Sequence, residues 1–330
     1  MLFELLVLAF ATASVTAVPV VPEVEVQEYP RFIEFPGGDG QMHSVDLEEE
    51  PDLDLIEAAN DPTNNRYWLF TRRNPDVAQQ LAYNDEESVF NSNFDASKEV
   101  VVISHGWLGG QNNNINPTIR DAYLNRDDVN VIVLDWRYLA LGGYITAASG
   151  VPRVGRGLGL FLEFLNRLTG APYDKMHLVG FSLGAHLVGN AGRFLDGQVA
   201  RVTGLDPAGP LWRTSSNRIS PSDARYVEAI HTNGGLDGLG IGISVGDVDF
   251  HPNGGSSQPG CITPICDHER AWKFFASTVT HDHLVGRRCS NFIQLNLNTC
   301  RGDRLNMGNS DLNKSGSGTY RVNTRWRYPY

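Results

Sequence analysis

Residues 176–189 read MHLVGFSLGAHLVG. An apolar run at 177–181 enters a Gly-x-Ser-x-Gly pattern, Gly180-Phe181-Ser182-Leu183-Gly184, and a helix-capable run at 183–195 leaves it. A strand that turns directly into a helix around a serine holds that residue in strained backbone with its hydroxyl above the sheet edge. Glycines on both sides suit the turn, because a Cβ there would strike the neighbouring strand and helix. The helix N-terminus behind Ser182 favours negative charge beside the hydroxyl. The five letters alone recur by chance, and the flanking strand and helix make them specific. A glycine-rich turn with an idle serine is the plain alternative.

The surrounding chain supports the same architecture. Val100–Ser104 (VVVIS) and 129–136 (VNVIVLDW) are β-branched runs of the kind found in strands buried on both faces. Further strands are predicted at 66–71 (RYWLFT), Arg201–Leu205 (RVTGL) and 226–231 (YVEAIH). Helical spacing links Val154, Leu158, Phe161, Leu162, Leu165 and Leu168, and a late helix is predicted over 272–279. Small residues after the serine (Gly184, Ala185, Gly189, Ala191, Gly192) let that helix lie close on the sheet. Asn112-Asn113-Asn114 and 234–246 read as loops. Alternating strands and helices predict an α/β fold with a mainly parallel sheet covered on both faces. Reactive groups in such sheets gather at the carboxyl ends of the strands.

The chain has 330 residues and a formal net charge of −11. The acidity is local, since residues 18–61 hold thirteen acidic side chains and one basic, Arg31. Residues 62–330 are nearly neutral, with 26 basic and 24 acidic side chains, and are expected to form the folded domain. The stretch Glu48-Glu49-Glu50-Pro51-Asp52 suits solvent better than a core. Residues 18–61 are therefore expected to be a solvated arm or a pro-segment, with Arg31 one conceivable cleavage point. Residues 1–17, MLFELLVLAFATASVTA, have an apolar stretch followed by small residues, which fits a signal peptide cleaved after Ala17, although no Lys or Arg precedes that stretch. The apolar run is short for a membrane span. No basic stripe points to nucleic acid.

The four cysteines are Cys261, Cys266, Cys289 and Cys300. In an exported protein an even number suggests two disulfides, and three pairings are possible. The sequential one, Cys261–Cys266 and Cys289–Cys300, closes the shortest loops and is the expected one. A zinc site is the rival, without the cytosolic setting that would favour it. Asn313-Lys314-Ser315 is a glycosylation sequon, whereas Asn116-Pro117-Thr118 is excluded by its proline.

A serine nucleophile needs a base, and the base an orienting acid, in the chain order Ser, Asp or Glu, His. Asp206 directly follows the strand RVTGL. A carboxylate there suits an imidazole partner, and Asp before Pro is equally a common turn start. His231, His251, His268, His281 and His283 all follow Asp206, and spacing leaves the base open among them. His268 has one local argument, since a disulfide at Cys266 would hold its loop. His281-Asp282-His283 lacks an evident third metal ligand. The loop Ser104-His105-Gly106-Trp107 follows an earlier strand and suits a second oxyanion donor, so the backbone N–H groups of Trp107 and Leu183 are the candidates. His105 reads as structural. Tyr144 and Trp107 are candidates to line an acyl groove or, equally, to sit in the core.

Several stretches taken together resemble the animal pancreatic-lipase family, and within it the insect neutral lipases and phospholipases A1. They are ISHGW (103–107), VIVLDW (131–136), HLVGFSLGAH (177–186), VTGLDPAGP (202–210), SDARYVEAIHTN (222–233), VDFHPNGG (248–255) and PGC…CDHERAWKFF (260–275). They run in the family's order across nearly all of 62–300. The resemblance implies an α/β-hydrolase fold, a secreted carboxylester hydrolase acting on glycerolipids, and Ser182, Asp206 and His268 as nucleophile, acid and base. Phe181 stands where the vertebrate form commonly has histidine, at a variable position.

Three departures refine that expectation. Only about thirty residues follow Cys300, so neither a C-terminal β-sandwich nor colipase docking is expected. The family's lid lies between the two cysteines before the catalytic histidine, where only Ile262, Thr263, Pro264 and Ile265 stand here. The loop between His231 and Asp249 also looks short. Within the family, short lids and loops accompany phospholipase A1 or galactolipase activity more than strict triacylglycerol specificity. Finally, 215–220 (SSNRIS) offers no carboxylate where some relatives hold calcium, leaving Asp223 alone, so no metal and no cofactor are expected. A non-catalytic lipid-binding or yolk-type relative is the alternative of another class, but such relatives usually lose a member of the triad, and all three candidates are present.

Overall fold

The computed structural model describes residues 29–235 and 238–330; the expected leader, 1–17, lies outside them. An eleven-stranded sheet forms the frame. From one edge to the other its strands are Arg304–Asn306, Val285–Arg288, Gly318–Val322, Val248–Pro252, Val227–Ile230, Arg201–Leu205, Met176–Phe181, Val100–Ser104, Asn130–Asp135, Arg66–Phe70 and Gln79–Leu81. The seven from Gly318–Val322 to Asn130–Asp135 run parallel, and antiparallel strands finish both edges.

Strand periodicity explains the apolar runs. Successive side chains point to opposite faces. Val100, Val102, Ile132, Leu134 and Leu178 enter one core, while Val101, Ile103, Val131, Val133 and Val179 enter the other. Helices Tyr144–Thr169 and Leu183–Phe194 cover the first face with Leu158, Leu162, Leu187 and Val188. Helices Ile115–Arg126 and Pro264–His281 cover the second with Ile119, Tyr123, Phe274 and Phe275. Both faces are thus dry, so no polar alternation appears in the sequence. This is the α/β-hydrolase arrangement.

Two helices are longer than expected. Tyr144–Thr169 begins ten residues before Val154 and carries Pro152 inside it. Proline deprives the Ala148 carbonyl of its partner, and burial of Tyr144, Ala147, Ala148 and Val151 offsets that loss. Pro264–His281 begins eight residues before 272 because its start is capped. The Thr263 side chain accepts from the Cys266 N–H, Pro264 occupies the first turn and Asp267 faces the positive helix end. His268 therefore sits on a helix, not in a loop. Both sequential disulfides are formed.

Residues 29–61 are not a free arm. Phe32–Pro36 and Met42–Asp46 form a hairpin that buries Phe35 and Val45, and helix Leu53–Ala58 buries Ile56. Phe35 packs on Tyr144 at 4.6 Å and Trp107 at 6.1 Å. The acidic side chains stay at the surface or cap backbone. Asp46 and Glu48 pair with Arg31 at 2.8 Å, and Asp52 and Asp61 accept the N–H groups of Leu55 and Thr63. Charge density misled because these carboxylates occupy outward and capping positions around a sparse apolar stripe. Ile56→Val is expected to lower stability by about 1 kcal/mol, read as a lower urea midpoint; a free arm would give no change.

At the amino ends of the parallel strands a charged cluster is sealed inside the protein. Arg201, fully buried, donates to Glu228 at 2.5 Å and to the carbonyls of Gly308, Asn309 and Asp311. Lys314 reaches the same carboxylate at 2.7 Å, and Tyr226 donates to it at 3.1 Å. The cluster ties the segment around 308–314 to the sheet; Asn313 within it is exposed.

Candidate active site

Ser182 caps helix Leu183–Phe194 with φ 56° and ψ −122°. Such backbone costs of order 1–3 kcal/mol and persists only where the surroundings hold it. Here the Ser182 N–H donates to the Leu205 carbonyl at 3.0 Å, and the Ala208 N–H to the Ser182 carbonyl at 3.3 Å. A Cβ on Gly184 would lie 2.7 Å from the Ser104 carbonyl, and one on Gly180 would strike the Gly184 carbonyl. The glycines of the motif are there for room.

Asp206 follows the neighbouring strand and is fully buried. Its Oδ1 accepts the N–H groups of Thr232 at 2.7 Å and Asn233 at 3.0 Å, and its Oδ2 faces His268 Nδ1 at 2.5 Å. The carboxylate thus accepts two backbone N–H groups and faces one imidazole, a fit to an orienting acid rather than to a turn start alone. Gly240 lies against it so closely that a Cβ would fall 2.5 Å from Oδ1.

His268 is held by Asp206, by Thr232 Oγ1 donating to its carbonyl at 3.3 Å, and by Phe181, whose ring lies 4.5 Å away. Its Nε2 is buried and has no hydrogen-bond partner among the described residues. With Nδ1–H donated to Asp206, Nε2 is left as an acceptor. Ser182, His268, Gly106, Trp107, Phe181 and Ile265 line one cleft with a cavity volume of about 130 Å³. Gly106 is pressed against the serine, since a Cβ there would lie 3.0 Å from that of Ser182. Among the described residues, neither the Trp107 N–H nor the Leu183 N–H donates to another protein group.

The other histidines are engaged elsewhere. His231 pairs with Asp249 at 2.9 Å and stacks on His251. Burial opposes charge on His231, but Asp249 outweighs it and holds the imidazole above its ordinary value; burial keeps His251 well below its own. His281 meets Tyr328, and His283 meets the Pro329 carbonyl. His105 touches the Gly106 carbonyl and stacks on Trp136. Tyr144 is core, its hydroxyl donating to the Pro210 carbonyl at 3.1 Å, whereas Trp107 reaches both core and cleft. Asp223 is buried and occupied by Arg193 and the Ser220 N–H.

The segment between Cys261 and Cys266 is not a flap. Ile262 is 98% exposed, Thr263 is the helix cap, and Pro264 and Ile265 form the first helical turn. Of the four, only Ile265 reaches the cleft. Sequence reasoning missed the hairpin loop 37–40, which lines the cleft together with Asn113 and Glu269. Its signal was the run Pro36-Gly37-Gly38-Asp39-Gly40, hidden inside a stretch read as solvated.

Comparison with known proteins agrees with this geometry. Residues 37–330 match the family described as Lipase. The chain is 32% identical over 280 residues to pancreatic triacylglycerol lipase of Homo sapiens, covering 77% of this chain and 60% of that one. It is 39% identical over 240 residues to phospholipase A1 member A of Bos taurus, covering 69% and 51%. Against pancreatic lipase-related protein 2 of Rattus norvegicus the identity is 32% over 263 residues, covering 72% and 56%. The chain thus spans between half and three-fifths of the length of these relatives. With a match that takes in the hairpin loop, the serine turn and the helix bearing His268, this chain belongs to the lipase family.

Proposed function

We propose that this protein is an exported serine carboxylester hydrolase acting on glycerolipids, with Ser182 as nucleophile, His268 as base and Asp206 as acid. The observation that carries this reading is the unpartnered His268 Nε2, backed by Asp206 and sharing one cleft with Ser182. His268 Nε2 takes the proton of Ser182 Oγ as that oxygen attacks the ester carbonyl. The Trp107 and Leu183 amides receive the oxyanion, each worth about 10²–10³ in turnover. The alcohol leaves with the proton from His268, and water then hydrolyses the acyl-enzyme by the same route. Two disulfides support an oxidising compartment.

The substrate class we favour is a polar glycerolipid cleaved at its sn-1 ester. Of the four residues between Cys261 and Cys266 only Ile265 lines the cleft, and Asp39, Asn113, Asn114 and Glu269 give its walls polar groups. A partly polar cleft tolerates a hydrated headgroup that a dry apolar one excludes. The test is fatty-acid release from matched phosphatidylcholine, galactolipid and triacylglycerol dispersions. Faster release from the polar lipids is expected. Preference for triacylglycerol would contradict the headgroup reading, and no turnover by folded protein would contradict the enzyme reading itself.

A further inference from the structure

The edge of the sheet at Arg304–Asn306 carries a feature the mechanism does not use. Its pairing sets Arg321 opposite Arg287, and Arg287 opposite Arg304. Directly opposed residues project to the same face about 5 Å apart, and like charges so placed destabilise a sheet. The three arginines line one groove with a cavity volume of about 430 Å³. Arg321 is half-buried and donates to the Leu295 carbonyl at 2.6 Å. Arg287 and Arg304 are exposed, and among the described residues no carboxylate pairs with any of the three. Residues 281–330 hold eight basic and three acidic side chains, in a chain whose net charge is −11. Among the described residues no acidic partner relieves the repulsion in this row, which leaves it open to an external anion.

An apolar component adjoins the row. The loop closed by Cys289–Cys300 lies against it, because Leu295 accepts from Arg321 and Asn298 from Asn323. That loop exposes Phe292 (56%), Ile293 (69%) and Leu297 (67%). Large apolar side chains held out in water beside unpaired cations are the composition of a membrane-interface contact. A sulfated polysaccharide or nucleic acid would use the arginines and leave the apolar trio idle.

We infer that the Arg287–Arg304–Arg321 row and the adjoining disulfide loop form a docking surface for an anionic lipid surface. This rests on the lipid-hydrolase reading and deepens it. The row orients a globally acidic protein that an anionic surface otherwise repels, and the apolar trio enters the headgroup layer. Each arginine near such a surface contributes roughly fivefold in affinity.

The test is vesicle flotation of the full chain in a Ser182→Ala background, so that lipid is not consumed. Vesicles of phosphatidylcholine alone are compared with phosphatidylcholine mixed with phosphatidylglycerol. At low salt, binding to the mixed vesicles is expected to be about tenfold or more tighter, and to weaken as salt screens the charges. Arg287→Glu/Arg304→Glu is expected to abolish that preference, and Phe292→Ser/Ile293→Ser to weaken binding to both vesicles. Arg287→Gln/Arg304→Gln is measured alongside, so that misfolding of the reversed pair does not decide the result. Among the described residues neither arginine's side chain bonds to another residue, so these pairs restored to Ser182 keep wild-type turnover of a soluble short-chain ester. Equal binding to both vesicles, or indifference to both arginine pairs, overturns the inference. Retention on a sulfated polysaccharide without vesicle binding also overturns it. Loss of soluble-ester turnover in the wild type would instead overturn the enzyme reading.

Discussion

Ser182→Ala is expected to lower ester turnover at least about 10⁴-fold while the protein stays folded. In the proposed mechanism the loss is large because the three groups act as a unit. Without Oγ, His268 has no proton to take, and the two free amides stabilise an oxyanion that water alone must generate. Only binding and the oxyanion donors remain, which in serine hydrolases leave a small residue of activity over water. Alanine also relieves no clash, since the packing room at this turn comes from Gly180 and Gly184. Binding of lipid is therefore expected to persist. The check is initial rate on a soluble short-chain ester beside a thermal unfolding curve. A variant that unfolds no earlier than the wild type yet retains turnover would remove Ser182 from the mechanism.

Glu228→Gln is expected to destabilise the fold by about 3–5 kcal/mol, without touching the cleft. Glu228 is the counter-charge for Arg201 and Lys314, all three buried or nearly so. Removing one carboxylate leaves two cations facing each other away from water. Burial favours protonation of Glu228, but Arg201 and Lys314 outweigh it and hold the carboxyl below its ordinary value. Burial pushes the Lys314 ammonium down to about 8 despite its acidic partner. A carboxyl held low in the fold contributes stability that is present above its unfolded value of about 4.3 and is lost as pH falls. The glutamine variant should therefore unfold at lower urea at pH 7, with a shallower acid limb below pH 4.3 than the wild type. Lys314→Met in the same background should recover part of the loss. Equal stability of Glu228→Gln and wild type would mean that the cluster is hydrated.

The legible parts of the chain were those where one physical demand dominates several adjacent residues. VVVI and VIVL are apolar throughout because both faces of those strands are covered. The serine turn was legible because room for two glycines and a helix start coincide in five residues. Asp206 was half-legible: its place after a strand was visible, but the peptide groups of Thr232 and Asn233 that hold it come from the next strand's end. The choice of His268 as base came from family resemblance, since His231 and His268 each face a carboxylate and only contacts distant in sequence separate them. The hairpin and the short helix after it were hidden because Phe35, Val45 and Ile56 are few among carboxylates that serve as caps and surface pairs. The arginine row was hidden because its members stand seventeen residues apart on three strands, so that no window of sequence contains them together.

The central claim, a serine made nucleophilic by His268 and Asp206, is tested most directly by covalent labelling with a fluorophosphonate. Such a reagent bonds to a serine oxygen with loss of fluoride, and the rate depends on a base removing the serine proton. Mass spectrometry of the digested protein is predicted to show one adduct, on Ser182, greatly slowed in His268→Gln. Folded protein that takes up no label, or takes it on another serine, would contradict the account.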